Sequence, residues 1–273
     1  MKYACGTGPQ WSIEWVDKDE TVGKYSSIAL DSSGNPHISY YRFTGDYLKY
    51  ASWTGTEWVK VIVDDSTNVG EYSSLALDSS NHPHFSYFDS DNYALKYACD
   101  KNGDGTFSPG EMVTVDNDGS VGKHTSIALD SSGNPHISYY SGSYSDLKYA
   151  RWTGTEWKIE TVDSAGHVGR YTSIAIDSND KPHISYYDVS HEDLKYAHWT
   201  DTVWETETVD SGDDHVGRYS SIALDSSDKP HISYYDDTLE ALKYAYKAGS
   251  TWTIETVDQS QCRRIHFYGT GQQ

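Results

Sequence analysis

One repeat runs through the whole chain. An alternating apolar run that closes on Asp recurs at Asp31, Asp78, Asp130, Asp177 and Asp225, at spacings of 47, 52, 47 and 48 residues. Each copy continues through a Pro-His turn, a Tyr-rich run, a Leu-Lys-Tyr-Ala run and a Trp-led run ending in Val-Asp. One copy reads Ser126 to Asp130, Pro135 to Tyr140, Leu147 to Ala150 and Trp157 to Asp163. A unit of this kind cannot bury its faces alone and must stack on its neighbours, which confines the chain to a repeat architecture. A residue found in every copy then reads as structural, and function is to be sought where copies differ.

Within a copy, Ser27-Ile28-Ala29-Leu30 alternates and Ile38-Ser39-Tyr40-Tyr41 is β-branched and aromatic, with no sustained helical period. Asp31-Ser32-Ser33-Gly34-Asn35-Pro36 has turn chemistry: side chains that bond amides, Gly for positive φ, and Pro to stop the ladder. Trp53-Thr54-Gly55-Thr56-Glu57-Trp58 reads as a second hairpin. Val-Gly at Val22, Val69, Val121, Val168 and Val216 reads as a tight link between units. Four short antiparallel strands per unit predict an all-β fold, a β-propeller, as a single domain over 1–273.

The approximate repeats are 25–71, 72–123, 124–170, 171–218 and 219–258. Met1 to Asp17 supplies an additional pair of third and fourth strands, so 1–24 and 259–273 are expected to build a composite, incomplete sixth blade. Its inner strand or strands would come from the tail around Cys262 to Gly269, where His266-Phe267-Tyr268 faintly matches the second strand. Five blades with an extra hairpin is the alternative closure.

With 41 acidic against 21 basic residues, the formal charge of −20 opposes nucleic acid and anionic lipid as partners. No apolar run is long enough for membrane insertion as a helix. Cys5, Cys99 and Cys262 show neither metal spacing nor a disulfide framework; free thiols are the favoured reading over a Cys5–Cys262 clasp.

The longer second copy replaces its hairpin with Asp100-Lys101-Asn102-Gly103-Asp104-Gly105-Thr106-Phe107-Ser108-Pro109-Gly110-Glu111. This run resembles the twelve-residue calcium loop of EF-hand and dockerin-type modules. The resemblance makes Asp100, Asn102, Asp104, Thr106 (through its carbonyl), Ser108 and Glu111 the ligands of a structural Ca²⁺. Hard oxygen donors favour that ion over transition metals.

His37, His84, His136, His183 and His231 recur at the start of every second strand and read as turn-holding residues instead of a ring of bases. In the Tyr pairs one member packs between blades. Trp53, Trp152 and Trp199, near hairpin tips, are the ligand-contact candidates. Arg170, Arg218, His191 to Asp193 and Asp213 to His215 vary between copies and sit in loops.

The run Asp-Ser-Ser-Gly-Asn-Pro-His-Ile-Ser-Tyr-Tyr followed by Leu-Lys-Tyr-Ala resembles bacterial and archaeal extracellular β-propeller repeats, loosely the sialidase-type Asp-box (BNR-like) group. The chain lacks the Trp of the usual Asp-box pattern, so the resemblance implies the fold and not sialidase chemistry. It implies an extracellular or cell-surface setting. The first expectation is non-catalytic binding or adhesion to a carbohydrate or cell-surface ligand. A polysaccharide lyase or glycosidase with a site at the channel mouth, and a structural module of a larger surface protein, are the alternatives.

Overall fold

The computed structural model describes residues 1–7, 10–19, 21–212 and 215–259. An N-terminal hairpin pairs β1 (Lys2–Thr7) with β2 (Gln10–Trp15). The first complete blade holds β3 (Val22–Leu30), β4 (Pro36–Arg42), β5 (Tyr47–Trp53) and β6 (Trp58–Asp64); the second holds β7 (Val69–Leu77), β8 (Pro83–Asp89), β9 (Ala94–Cys99) and β10 (Met112–Asp116). The third holds β11 (Val121–Leu129), β12 (Pro135–Ser141), β13 (Asp146–Trp152) and β14 (Trp157–Asp163). The fourth holds β15 (Val168–Ile176), β16 (Pro182–Asp188), β17 (Asp193–Trp199) and β18 (Trp204–Asp210). The fifth holds β19 (Val216–Leu224), β20 (Pro230–Asp236), β21 (Ala241–Ala248) and β22 (Thr251–Asp258).

Each of these five sheets is antiparallel, and its strands lie in chain order. The chain is thus an all-β propeller, with the N-terminal hairpin standing in the outer-strand position of a sixth blade. Residues 260–273, to which the sequence reading gave the inner strands of that blade, lie outside the described residues, as do Cys262, Asp213 and Asp214. Among the described residues the only helical turn is Pro109–Glu111, and no helix is long and apolar enough to cross a membrane.

One ionic handshake recurs at the junctions between described blades and accounts for three of the repeated motifs together. The Asp that ends the fourth strand of each of the first four blades is buried and accepts from the Lys of Leu-Lys-Tyr-Ala and from the first Tyr of the Tyr-rich run in the following blade, whereas Asp258, which ends the fifth, is exposed. Asp116 accepts from Lys148 Nζ at 2.7 Å and Tyr139 Oη at 2.6 Å. Asp163 does so from Lys195 and Tyr186, Asp210 from Lys243 and Tyr234, and Asp64 from Lys96 and Tyr87. Asp17 takes Lys49 at 2.5 Å and Tyr40 at 2.7 Å, so the N-terminal hairpin meets the first blade as any blade meets its successor. This contact rules out the five-blade alternative in which the hairpin is an appendage.

The apolar core lies between blades. Leu147, Tyr149 and Val162 of the third blade pack against Val168, Ile174, Ile184 and Tyr186 of the fourth, and the other junctions repeat this. On the inner strands, the Ser27 hydroxyl accepts from Leu75 N, Ser74 from Ile127 N, Ser126 from Ile174 N and Ser173 from Ile222 N. Polar groups at the junction are thereby satisfied as the apolar ones close.

One sequence expectation needs correction. Val-Gly is the start of the innermost strand, not a link, so the sheets begin three residues ahead of the boundaries drawn at 25, 72, 124, 171 and 219. The Gly is required by closeness: at Gly122 (φ +99°) a Cβ would sit 2.7 Å from Leu95 Cα of the preceding blade. The first blade has no inner-strand neighbour among the described residues on the side that Ile28 faces. Ile28 is 54% exposed there, whereas its equivalents Leu75, Ile127, Ile174 and Ile222 are 6–8% exposed.

Candidate functional site

The repeated histidines are structural, as their recurrence implied. His136 Nδ1 bonds the Tyr149 hydroxyl, at 2.5 Å, and its Nε2 lies 3.6 Å from Asp130 Oδ2; His84 and His183 are held in the same way. Burial pushes His84 down to about 4, so its imidazole is neutral at physiological pH. The turn Asp is fully engaged as well: Asp130 Oδ1 accepts from Ser132 N and Asn134 N, at 2.9 and 2.8 Å.

At the blade junctions the hairpin tips and turns leave clefts. Between the third and fourth blades a cleft of about 170 Å³ has Tyr149, Arg151 and Glu160 on one wall and Asp180, Lys181, Trp199 and Asp201 on the other. Trp199 is held edge-on by Trp204, centroid to centroid 5.6 Å, and Trp204 Nε1 donates to Glu160 Oε2 across the junction at 3.1 Å. Lys181 pairs with Asp201 at 2.6 Å, and Asp180 accepts from Ser131 N and Oγ, both at 2.7 Å.

One junction earlier, between the second and third blades, a cleft of about 110 Å³ is lined by Tyr97, Lys101, Glu111, Val113, Trp152 and Trp157. Two of the three Trp candidates, Trp152 and Trp199, therefore occupy matching cleft walls. Trp53 packs on Trp58 at the matching place in the first blade, with ring centroids 5.5 Å apart and the planes tilted by 57°. An aromatic face opposite a few fixed polar groups is what a sugar ring requires: C–H groups for the ring, hydroxyls for the polar side chains. The third-strand position that Arg151 brings to the 170 Å³ cleft differs in every copy, being Ser52, Cys99, Arg151, His198 and Tyr246, and Cys99 is buried without lining the 110 Å³ cleft. The clefts share a frame and differ in chemistry. The carboxylates of the 170 Å³ cleft are each bonded to a Trp, a Ser or a Lys.

The calcium-type loop caps the β9–β10 hairpin. Asp100 is buried and accepts from Gly103 N at 2.8 Å and Gly105 N at 2.9 Å; Glu111 accepts from Lys101 N at 3.2 Å and from Ser108 N and Oγ at 2.8 and 2.9 Å. Asp104 takes Thr106 N and Oγ1, and Asn102 Oδ1 takes Asp104 N. Gly103 and Gly105 adopt φ of 69° and 76°, as a tight loop demands. The oxygen-only donor set and the closure of the loop by Asp100 and Glu111 fit a hard divalent cation. The carboxylates are turned to loop amides, and among the described residues no three His, Cys, Asp or Glu groups stand together as a cation cluster. Glu111 and Lys101 also line the 110 Å³ cleft, which ties this loop to a candidate ligand site.

Of the thiols, Cys5 is exposed and Cys99 buried, both free and at matching third-strand positions; burial pushes Cys99 up to about 11. Of the channel-mouth candidates, His191 pairs with Asp188 at 2.9 Å, His215 with Glu192 at 2.8 Å and Arg218 with Asp237 at 3.2 Å. These are local loop contacts and do not converge on one centre.

Sequence reasoning missed a ring of aromatics around the propeller axis. Tyr25, Tyr72, His124, Tyr171 and Tyr219 stand at one position of five inner strands, with successive ring centroids 4.6, 4.7, 4.7 and 4.4 Å apart. Each lies at a register slip, as between Lys123 and Ser126, and each has φ of 50–56°. The slip re-aims the side chain toward the axis. A bulky residue in the left-handed region costs about 1–3 kcal/mol, so five such residues mark a place the fold strains to build. The signal was present in the sequence as an aromatic two residues after every Val-Gly.

No family model matches the chain, and no curated protein matches it. Among solved structures it is similar to a protein of unknown function from Dyadobacter fermentans, at 9% identity and a TM-score of 0.65, covering 89% of this chain and 85% of that one. It is also similar to the Aleuria aurantia lectin in complex with Fucα1-6GlcNAc, at 12% identity and a TM-score of 0.57 over 94% and 87% of the two chains. An ulvan lyase bound to -[GlcA(1-4)Rha3S]- matches at 13% identity and a TM-score of 0.57 over 85% and 69%. At these identities the likeness establishes the propeller fold.

Proposed function

We propose that this protein is a non-catalytic carbohydrate-binding propeller whose junction clefts each hold a sugar against a Trp. The observation that carries the reading is the recurrence of a Trp-walled cleft at successive junctions, with Trp152 in one and Trp199 in the next. Several weak sites on one rigid body gain from multivalency when the ligand is a polymer or a cell surface. That solved structures of the same fold include a lectin and a polysaccharide lyase supports a glycan ligand.

The calcium-type loop is assigned a structural Ca²⁺ held by Asp100, Asn102, Asp104, Glu111, the Thr106 carbonyl and Ser108. The ion's chemistry there is charge neutralisation and loop ordering. An extracellular or cell-surface setting goes with this reading, since weak oxygen-donor sites fill where calcium is abundant.

A glycan array with labelled protein, followed by calorimetry on the best ligand, tests the binding. Trp152→Ala and Trp199→Ala should each remove a fraction of the sites, with folding unchanged by circular dichroism. Release of reducing or unsaturated sugar from the bound glycan would replace this reading with a catalytic one. Elemental analysis and melting with and without chelator test the ion: one calcium per chain and a lower melting temperature in chelator are expected.

A further inference from the structure

The aromatic ring on the axis bounds a well of about 220 Å³, lined by Tyr25, Tyr72, His124, Tyr171, Tyr219 and the Ser or Thr that follows each of them. The well is separate from the junction clefts, sharing no lining residue with the two described above. Four of its five hydroxy amino acids are already committed: Thr125 and Thr172 donate to Ser86 and Ser138, and Ser73 and Ser220 donate to the Tyr25 and Tyr171 carbonyls. What remains for a ligand is the ring itself, its aromatic faces, its phenol groups and one imidazole. The arc is open between Tyr219 and Tyr25 among the described residues.

The charge around this ring is opposite to that of the protein as a whole. No carboxylate lines the well. In sequence, Lys24, Lys123, Arg170 and Arg218 come one residue before the ring member of their blades, with Glu71 at the same place in the second blade, and none of the five lines the well itself. Lys123, Arg170 and Arg218 lie over Phe88, Tyr140 and Tyr187, the aromatics that back Tyr72, His124 and Tyr171. Arg218 is partly spent on Asp237, while Arg170 Nε is buried without a partner. Burial, with Arg170 and Lys123 alongside, pushes His124 down to about 4. Burial likewise holds the Tyr171 phenol up at about 12, so at neutral pH the ring presents O–H donors and a neutral imidazole. Glu71 takes a hydroxyl donor from Ser90 and makes the second blade the one negative side of the collar.

From this geometry we infer that the axial well is a second ligand site, for a single acidic pyranose: a sugar ring bearing a carboxylate, stacked on the tyrosines. Its carboxylate faces the third and fourth blades, toward Lys123 and Arg170 and away from Glu71. Aromatic faces accept the C–H side of the ring, and the phenols bond its hydroxyls. The cations behind the rings act through a water-poor wall, where charge is weakly screened. A cationic ligand of the same size is disfavoured by that collar, and the volume admits one ring, not a buried chain.

The test uses the whole protein at low ionic strength with three probes: D-glucuronate, D-glucose, and a disaccharide ending in glucuronate. Binding is read by the shift of the His124 ring resonances and by calorimetry. The expected result is saturable glucuronate binding that moves His124, at least 10-fold tighter than glucose, weakened at least 10-fold by Arg170→Gln and unchanged by Trp199→Ala. Equal or tighter binding of the disaccharide identifies the end of an acidic polysaccharide as the source, and exclusion of the disaccharide identifies the free sugar acid. If Arg170→Gln does not fold, Arg218→Gln and the salt dependence of the wild-type protein serve instead, with weaker binding expected from both. No movement of His124, equal affinity for glucose and glucuronate, or loss of glucuronate binding in Trp199→Ala would overturn the assignment. The junction-cleft reading stands or falls separately, on the Trp variants with neutral glycans.

Discussion

Replacing Lys148 with Met tests the handshake between blades most directly. Lys148 and Asp116 have side chains 9% and 4% exposed and meet at 2.7 Å, so the substitution strands a buried carboxylate. Asp116 keeps its bonds from Tyr139 Oη at 2.6 Å and Asp118 N at 2.9 Å but loses its counter-charge. Removing one partner of a buried pair costs about 3–5 kcal/mol, against about 0–1 kcal/mol for an exposed pair. At about 2–4 °C per kcal/mol for a chain of this size, melting should fall by roughly 10 °C. The double variant Asp116→Asn/Lys148→Met removes the stranded charge; its amide oxygen can accept from Asp118 N and its amide NH2 can donate to the Tyr139 hydroxyl oxygen, so part of the loss should be recovered.

The pH dependence has a fixed sign. Burial alone would raise Asp116, but hydrogen bonds from Lys148, Tyr139 and Asp118 outweigh it and hold the carboxyl below its usual 3.8. Its folded value is therefore below its unfolded one, and the stabilisation is complete above the unfolded value and lost as pH falls through the folded one. The gap between wild type and Lys148→Met should then be widest near neutrality and narrow in acid. Urea denaturation at pH 7 and pH 3.5 gives both numbers. A cost below about 1 kcal/mol at pH 7, or strict additivity in the double variant, would refute a buried, coupled pair at this junction.

Histidine titration by NMR should leave His84 and His124 neutral until about pH 4; since both folded values are depressed, their contribution to stability is whole above the unfolded value near 6.5 and declines in acid. Gly122→Ala should destabilise by more than Gly154→Ala, because both glycines have positive φ but only the first would press a Cβ on Leu95, while nothing lies within 4 Å of the second; urea midpoints decide it. Ile127→Ala, at a position 6% exposed, should cost about 2–5 kcal/mol, and Ile28→Ala, at 54%, should cost much less. An Ile28→Ala cost equal to that of Ile127→Ala would mean that this face is covered in the whole chain.

The propeller was legible because its strands alternate and its turns carry Asp, Gly and Pro at fixed offsets. The composite first hairpin could be read from the extra Lys-Tyr-Ala run before Trp11. The handshake could not, since its three members come from motifs far apart in sequence and join across a junction: Asp116 with Tyr139 is 23 residues away and with Lys148 is 32. Trp152 and Trp199 could be singled out from the sequence because they flank hairpin tips, and the structure places each on a cleft wall. The axial ring was overlooked for a different reason. Tyr72 or His124 in an alternating strand reads as a core or solvent position, and only the register slip beside it turns the side chain to the axis. Cys99, in contrast, occupies a position whose chemistry changes from copy to copy, and sequence alone does not say that Arg151 at the matching place faces a cleft.

The handshake also sets the smallest insertion or deletion that keeps the buried charges paired. Each of the first four complete repeats brings one Asp for the blade after it, and all five bring one Lys with one Tyr for the Asp that precedes them. Deleting or duplicating part of a repeat strands a charge in the core, but losing or gaining a whole one leaves each buried carboxylate with a partner. Recombination between near-identical copies is therefore electrostatically silent when it moves whole units. Blade number can drift by integers while the third-strand position at Ser52, Cys99, Arg151, His198 and Tyr246 is free to diversify by point mutation.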